Sequence, residues 1–281
     1  ALTPVAGYVV KVYSWQVGFI FLGVITFLVG VSLSQLLLHR TNPEACGLLP
    51  DGDTKEHPGY KDISSRPDED TISHRELIKD PRFMIIAVSF SLAVMALMSV
   101  FVHQVAYAMD HGIDKIAAAS SLGAVSMAGF AGQFFYGWMS DRIKDAKYSA
   151  SLGFIFMAAG MCILMKADSI DKLFLYAVVF GFGYGCLAPM SPILLADRFG
   201  RRMLGSVYGL VTFFIGLGGS IGPILGGLIY DRTGSYLYVW QLNILVLVGA
   251  AVLVLTLKPG TESVFQSVPD KDDNKFAAGG K

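Results

Sequence analysis

Residues Leu204–Tyr230 read LGSVYGLVTFFIGLGGSIGPILGGLIY. The stretch holds no Asp, Glu, Lys, Arg or His. A helix crosses the hydrocarbon core of a bilayer, ~30 Å thick, with about 20 apolar residues, and this stretch exceeds that length. It shows no alternation with a period of two, so it does not read as the wall of a barrel. Its glycines fall at Gly205/Gly209, Gly218/Gly222 and Gly222/Gly226. Spacings of four let helix backbones approach closely. The seam they predict is either static packing or a surface along which helices slide, and the two readings are compatible.

Six further segments resemble it in length and hydropathy: Trp15–Leu38, Phe83–Ala108, Ile116–Met139, Ser149–Lys166, Leu173–Ala196 and Tyr238–Leu257. Ala1–Val12 reads as the tail of another span, because Pro4 and Gly7 sit in an apolar run too short to cross. The expected fold is all-α, a polytopic transmembrane helical bundle with seven complete spans and the end of an eighth. Composition agrees. Of 281 residues, 53% are hydrophobic and 16% charged, against about 25% charged in soluble domains. Mean hydropathy is +0.54, which excludes a disordered chain. With 22 basic and 22 acidic residues the formal net charge is zero, so no nucleic-acid partner is expected. The expected partner surface is the lipid bilayer.

Lysine and arginine set the orientation. With the Arg40–Arg82 connection inside, all but Lys11, Lys115, Lys166, Lys172 and Arg232 of the 22 basic residues fall on that side. The C-terminus is then cytoplasmic. Residues 40–82, with Pro43, Pro50, Pro58, Pro67 and Pro81, read as a linker between bundles. Ser73 and Glu76 fit a capping box opening a short helix into Phe83. Residues 258–281 read as a disordered polar tail. Cys46, Cys162 and Cys186 form no CxxC pair, so neither a disulfide framework nor a zinc site is expected. Cys162 and Cys186 are expected to pack as small apolar groups.

Two short matches hint at an internal repeat. Pro4-Val5-Ala6-Gly7 resembles Pro223-Ile224-Leu225-Gly226, and Trp15-Gln16 resembles Trp240-Gln241. Parallel repeats of membrane helices occur in one large transporter class. Several longer stretches point the same way. Gly137-Trp138-Met139-Ser140-Asp141-Arg142 resembles the GxLaDR signature of the major facilitator superfamily. The Ala196–Arg202 loop and the Gly-Pro-rich Gly216–Pro223 stretch resemble later elements of the same family. Asn42–Gly52 is similar to a PEdxGLLPDG stretch of monocarboxylate-porter-like members. The resemblance spans residues 4 to about 259. It implies that the chain begins late in helix 5 of a twelve-helix transporter, with helices 7–12 over 83–257. A missing N-terminal bundle of the same protein would be its partner, and the plasma membrane its location.

The resemblance assigns a gating role to Gly137, Asp141 and Arg142, which lock helix ends in one conformational state. Asp197 with Arg201 or Arg202 would be the matching set. An ordinary solvated loop obeying the positive-inside rule is the alternative. The family's next Gly and Arg positions hold Lys144 and Asp145 here, so the charge pairing is expected to differ. Pro189 and Pro192 each remove a backbone donor and predict a kink, tolerated where a helix lines a cavity. Gly218, Gly222 and Gly226 belong to the candidate sliding seam.

Polar groups inside spans are the candidate solute contacts. These are His103, Gln104, Tyr107, Gln133, Tyr136, Tyr184, Tyr208 and Thr212. In monocarboxylate-type relatives an Arg that binds substrate carboxylate stands where Gln133 falls. A Lys used on helix 11 by oxalate-type relatives is absent from Leu204–Tyr230. The solute is therefore expected to be neutral or weakly charged, or an anion held by residues outside these spans. No Asp or Glu lies within the seven spans, so His103 is the one titratable candidate for a proton carrier near neutral pH; a packed or interfacial histidine is the alternative.

The function that fits is secondary active transport of a small solute, an organic acid or other small metabolite, with a coupling proton and no cofactor. A transporter-like receptor or scaffold, using the 40–82 segment and the tail, is the alternative. No HExxH or paired intramembrane carboxylates suggest an enzyme.

Overall fold

A computed structural model describes residues 13–37, 74–143, 145–200 and 203–258. Among them the chain forms α1 (Trp15–Leu37), α2 (His74–Lys79), α3 (Pro81–Asp110), α4 (Lys115–Arg142), α5 (Lys147–Leu164), α6 (Ile170–Tyr184), α7 (Leu187–Phe199), α8 (Leu204–Thr233) and α9 (Leu237–Leu255). No strand occurs among the described residues. The expected eighth-span tail, most of the 40–82 linker, Ser73, Lys144, Arg201, Arg202 and the tail beyond Lys258 lie outside them.

Among the described residues, six stretches are long and apolar enough to cross a membrane: Gln16–Gln35, Pro81–Asp110, Lys147–Leu164, Ile170–Phe199, Leu204–Thr233 and Leu237–Leu255. The expected span in Lys115–Arg142 is not among these six. That helix has the length, about 42 Å at 1.5 Å per residue. Its serines, glycines and Gln133 make it less apolar than the rest.

The chain divides into residues 1–69 and 70–281. The first contains α1, an apolar helix of 23 residues. In the second, α3 packs along α8 and α9, α9 along α5, α5 along α6, and α6 along α4. Large side chains fill the spaces between. Phe90 on α3 meets Phe154 on α5 edge to face at 5.4 Å, and Trp240 lies fully buried under Tyr107, with ring centroids 5.5 Å apart.

Local signals start and stop the helices. Asp80 is extended, as a residue before proline prefers, and its carboxylate accepts from the Arg82 amide at 2.8 Å. Pro81 at the first helical position loses no needed hydrogen bond. The short helix expected before Phe83 therefore ends at Lys79, and a new one begins. The break between α6 and α7 falls at Gly185–Cys186. That is one turn before Pro189, whose ring would clash with the carbonyl four residues back. The kink expected from Pro189 thus takes the form of a short interruption, whereas α7 runs on through Pro192.

Glycines set the closest approaches. On α8, Gly218 faces the backbone of Ser91, Gly222 that of Met95, and Gly226 the His103 ring, which an added Cβ would meet at 2.6 Å. Gly205 and Gly209 have nothing within 4 Å, so the first expected spacing is not a contact within this bundle. On α6, Gly181 and Gly185 face the backbone of α4 at Val125 and Gly129, while Gly183 faces Gly153 and Met157 of α5. Cys186 is buried, but Cys162 is exposed on α5 rather than packed as expected.

Candidate functional site

Near the middle of the bundle, α3, α4 and α6 present an aromatic and amide group. Gly129 leaves room for the Tyr184 ring, which meets Phe101 edge to face at 6.0 Å. One turn along α4 from Gly129, Gln133 is half-buried. Its side-chain amide makes no hydrogen bond among the described residues. Tyr208 and Thr212 lie exposed on α8, where the Thr212 hydroxyl donates to the Tyr208 carbonyl at 2.7 Å. The structure brings Gln133, Tyr184 and Phe101 to one region; Phe101 was not among the sequence-derived candidates.

Three other candidates are buried in packing. Gln104 is fully buried. Its amide nitrogen donates to the Ser121 hydroxyl, and its carbonyl accepts from Tyr176 Oη at 2.6 Å. Both ends of the amide are used, so Gln104 ties α3, α4 and α6 together instead of opening to a cavity. Tyr107 is 3% exposed and packs on His111, Tyr236 and Trp240. Tyr136 is fully buried against Phe135 and Phe182. His103 is half-buried in the α3–α8 seam, with Nε2 3.0 Å from the Pro223 carbonyl. A carbonyl only accepts, so this contact requires the proton on Nε2.

At the other end of the bundle, charge is concentrated. Arg198 Nη2 donates to both carboxylate oxygens of Asp145, at 2.7 and 2.8 Å. The Arg198 side chain is 3% exposed. Lys147 Nζ lies 3.7 Å from the same carboxylate and donates to the Leu257 carbonyl at 2.6 Å. This network joins the end of α7, the α4–α5 connection and the end of α9. Arg82 adds a contact to the Arg198 carbonyl at 3.5 Å and holds Asp80 through three further bonds. Those bonds hold the Asp80 carboxyl below the usual carboxylate range.

The sequence-derived gating residues stand apart from this network. Asp141 and Arg142 are exposed, and Arg142 lies over the Trp138 ring at 4.5 Å. Gly137 has open space around it. Asp197 is exposed, and its expected pairing with Arg201 or Arg202 lies outside the described residues. Asp145 carries the ion pair instead. Its acidic character at a position where the resemblance expects Arg was the available signal.

These features define a multi-pass α-helical membrane protein with glycine seams, a charged end and a polar group near its middle. Comparisons sharpen that class. The sequence profile of the Major Facilitator Superfamily matches residues 1–145 and 105–278, and the chain belongs to that family. It is 25% identical to Monocarboxylate transporter 12-B of Danio rerio, over 91% of this chain and 57% of that protein. It is 28% identical to Monocarboxylate transporter 4 of Rattus norvegicus, over 92% of this chain and 52% of that protein. The chain thus spans about half the length of these relatives. Its fold is similar to the crystal structure of the POT family transporter PepTSo, with a TM-score of 0.54, 14% identity and coverage of 62% of this chain and 36% of that one.

Proposed function

We propose that the full protein is a secondary transporter of a small solute, working by alternating access, and that Gln133, Tyr184 and Phe101 form this bundle's share of the solute site. The observation that carries the reading is Gln133, a half-buried amide near the middle of a membrane-length helix beside an aromatic pair. An amide left against lipid would be costly, so a polar occupant or water-filled cavity is its natural neighbour. Within the described helices of residues 70–281, every Lys and Arg lies close to a helix end. This bundle therefore offers hydrogen bonds and aromatic surface rather than fixed charge. A small organic acid or neutral metabolite fits, with any fixed positive charge for an acid coming from outside these helices.

Alternating access needs parts that move against each other. α8, gripped on one side by its glycine seam, is the element we assign to that motion. Asp145–Arg198 would hold the inner helix ends in one state, with Asp141 and Arg142 acting beside it. The plasma membrane is the proposed location, with the charged end and the C-terminus cytoplasmic. The relatives' names support a carboxylate substrate, and His103 is the candidate proton carrier.

The test is uptake by the full-length protein in proteoliposomes. Labelled short monocarboxylates and neutral metabolites of similar size are compared, with and without an imposed pH gradient. Gln133→Ala is expected to lower uptake about tenfold, the effect of ~1.4 kcal/mol, without changing thermal stability. Wild-type uptake by Gln133→Ala would remove this residue from the site. Binding without accumulation of any solute would favour a receptor.

A further inference from the structure

An open cavity of about 390 Å³ lies between the start of α3 and the end of α9, lined by Asp80, Pro81, Arg82, Ile85, Thr256 and Lys258. It shares Asp80 and Arg82 with the edge of the charged network, and the solute candidates Gln133, Tyr184 and Phe101 do not line it. Its walls are largely apolar. The Thr256 hydroxyl is turned back on the Leu253 carbonyl at 2.6 Å, and Pro81 and Ile85 add hydrocarbon. Its polar groups are unequal. Arg82 is held by Asp80 at 2.7 Å, so that pair is close to neutral. Lys258 is exposed and has no ion-pair partner among the described residues. Among the described residues the cavity therefore carries one net positive charge, mounted on a rim next to two membrane-length helices.

Below that rim an apolar track continues. Leu245, Gly249 and Val252 on α9 and Thr256 just past its end follow one another at spacings of four, three and four, and all four are exposed. Those spacings place them on one helix face. Eleven residues of helix span about 16 Å, which is half of a ~30 Å hydrocarbon core. The track is as deep as one leaflet. A soluble phosphate would use the charge alone, whereas a phospholipid would use the charge and the track together.

We propose that this cavity seats an anionic phospholipid, its phosphate at Lys258, and an acyl chain along Leu245, Gly249 and Val252. The seat ties α3 to α9 at the end where the Lys147–Leu257 bond also ends. A lipid there would brace the outer wall of the bundle.

The experiment uses the purified chain in neutral detergent. Retained lipid is counted by native mass spectrometry after exposure to phosphatidylglycerol or to phosphatidylcholine with the same acyl chains. One basic residue near a membrane surface is worth about 1 kcal/mol, so phosphatidylglycerol is expected to be retained about fivefold more tightly. Lys258→Gln is expected to erase that preference. Ile85→Trp, which fills the cavity and keeps the charges, is expected to expel the lipid. Lys258 lies beyond the last turn of α9, so its variant remains informative if Ile85→Trp does not fold. Equal retention of the two lipids, or an unchanged preference in Lys258→Gln, would overturn the proposal. So would thermal stabilisation by inorganic phosphate matching that by phosphatidylglycerol, because the track would then contribute nothing.

Discussion

α8 and the α6–α7 pair are both 30 residues from end to end, and both depend on glycine. They are held very differently. In Ile170–Phe199, 56% of the apolar stretch is buried; in Leu204–Thr233 the share is 17%. α6 places Gly181 and Gly185 against α4 and Gly183 against α5, so backbones confine it on two sides. α7 is then fixed at its end by Arg198 on Asp145. α8 places Gly218, Gly222 and Gly226 on one stripe against α3, and most of its remaining surface is open. Similar glycine spacing thus packs one helix on two sides and the other on one. If α8 is the element that moves, as proposed, the number of faces engaged is what frees it.

Arg198→Ala tests the clamp where the largest effect is expected. Removing one partner of a buried ion pair costs about 3–5 kcal/mol, because the other charge is left without compensation. Asp145 keeps Lys147 nearby and is 11% exposed, so a loss near the lower end, about 3 kcal/mol, is expected. Thermal unfolding of the purified chain in detergent measures it. A change below about 1 kcal/mol, the range of exposed pairs, would mean that α7 is not held by its end.

Gly183→Ala tests the confinement of α6. The added Cβ would lie 2.6 Å from the Gly153 carbonyl oxygen and the Met157 amide nitrogen. Both are backbone atoms, and moving α6 away from them drives Gly181 and Gly185 into α4. Overpacking typically costs 1–3 kcal/mol, and about 2 kcal/mol is expected here. Gly222→Ala meets the Met95 carbonyl even more closely. Yet α8 can retreat toward its open side, so its loss should stay near 1 kcal/mol, the low end of that range. If the two substitutions cost the same in parallel melts, α8 is clamped like α6 and the contrast fails.

The sequence displayed much of this and hid a definite part. The apolar runs, the short connections and the glycine spacing on α8 were legible, because bilayer thickness and helical period act on every residue alike. The partners were not. Gln104 and Gln133 are the same amide in two helices of membrane length, yet Tyr176 and Ser121 consume the first and leave the second open. Nothing local distinguishes them; the difference arises from which helices meet. Asp145 is the intermediate case. Its charge was visible, but the 53-residue separation from Arg198 was closed only by the fold.

The smallest effect should come from Gly209→Ala. Gly209 repeats the GxxxG spacing with Gly205, but both are exposed and a Cβ there meets nothing within 4 Å. Without a neighbour to displace, the substitution changes only backbone freedom. Alanine is favoured over glycine inside a helix by up to about 1 kcal/mol, so a gain of about 0.5 kcal/mol is expected in the isolated chain. A loss instead would show that some surface packs on the open side of α8, and the one-sided description would fall. The same variant in the full-length protein gives a second reading. If stability rises while uptake falls, the open face of α8 must approach another helix during transport. Gly205 and Gly209 would then serve a contact made only in motion, which is the role that distinguishes a moving helix from a clamped one.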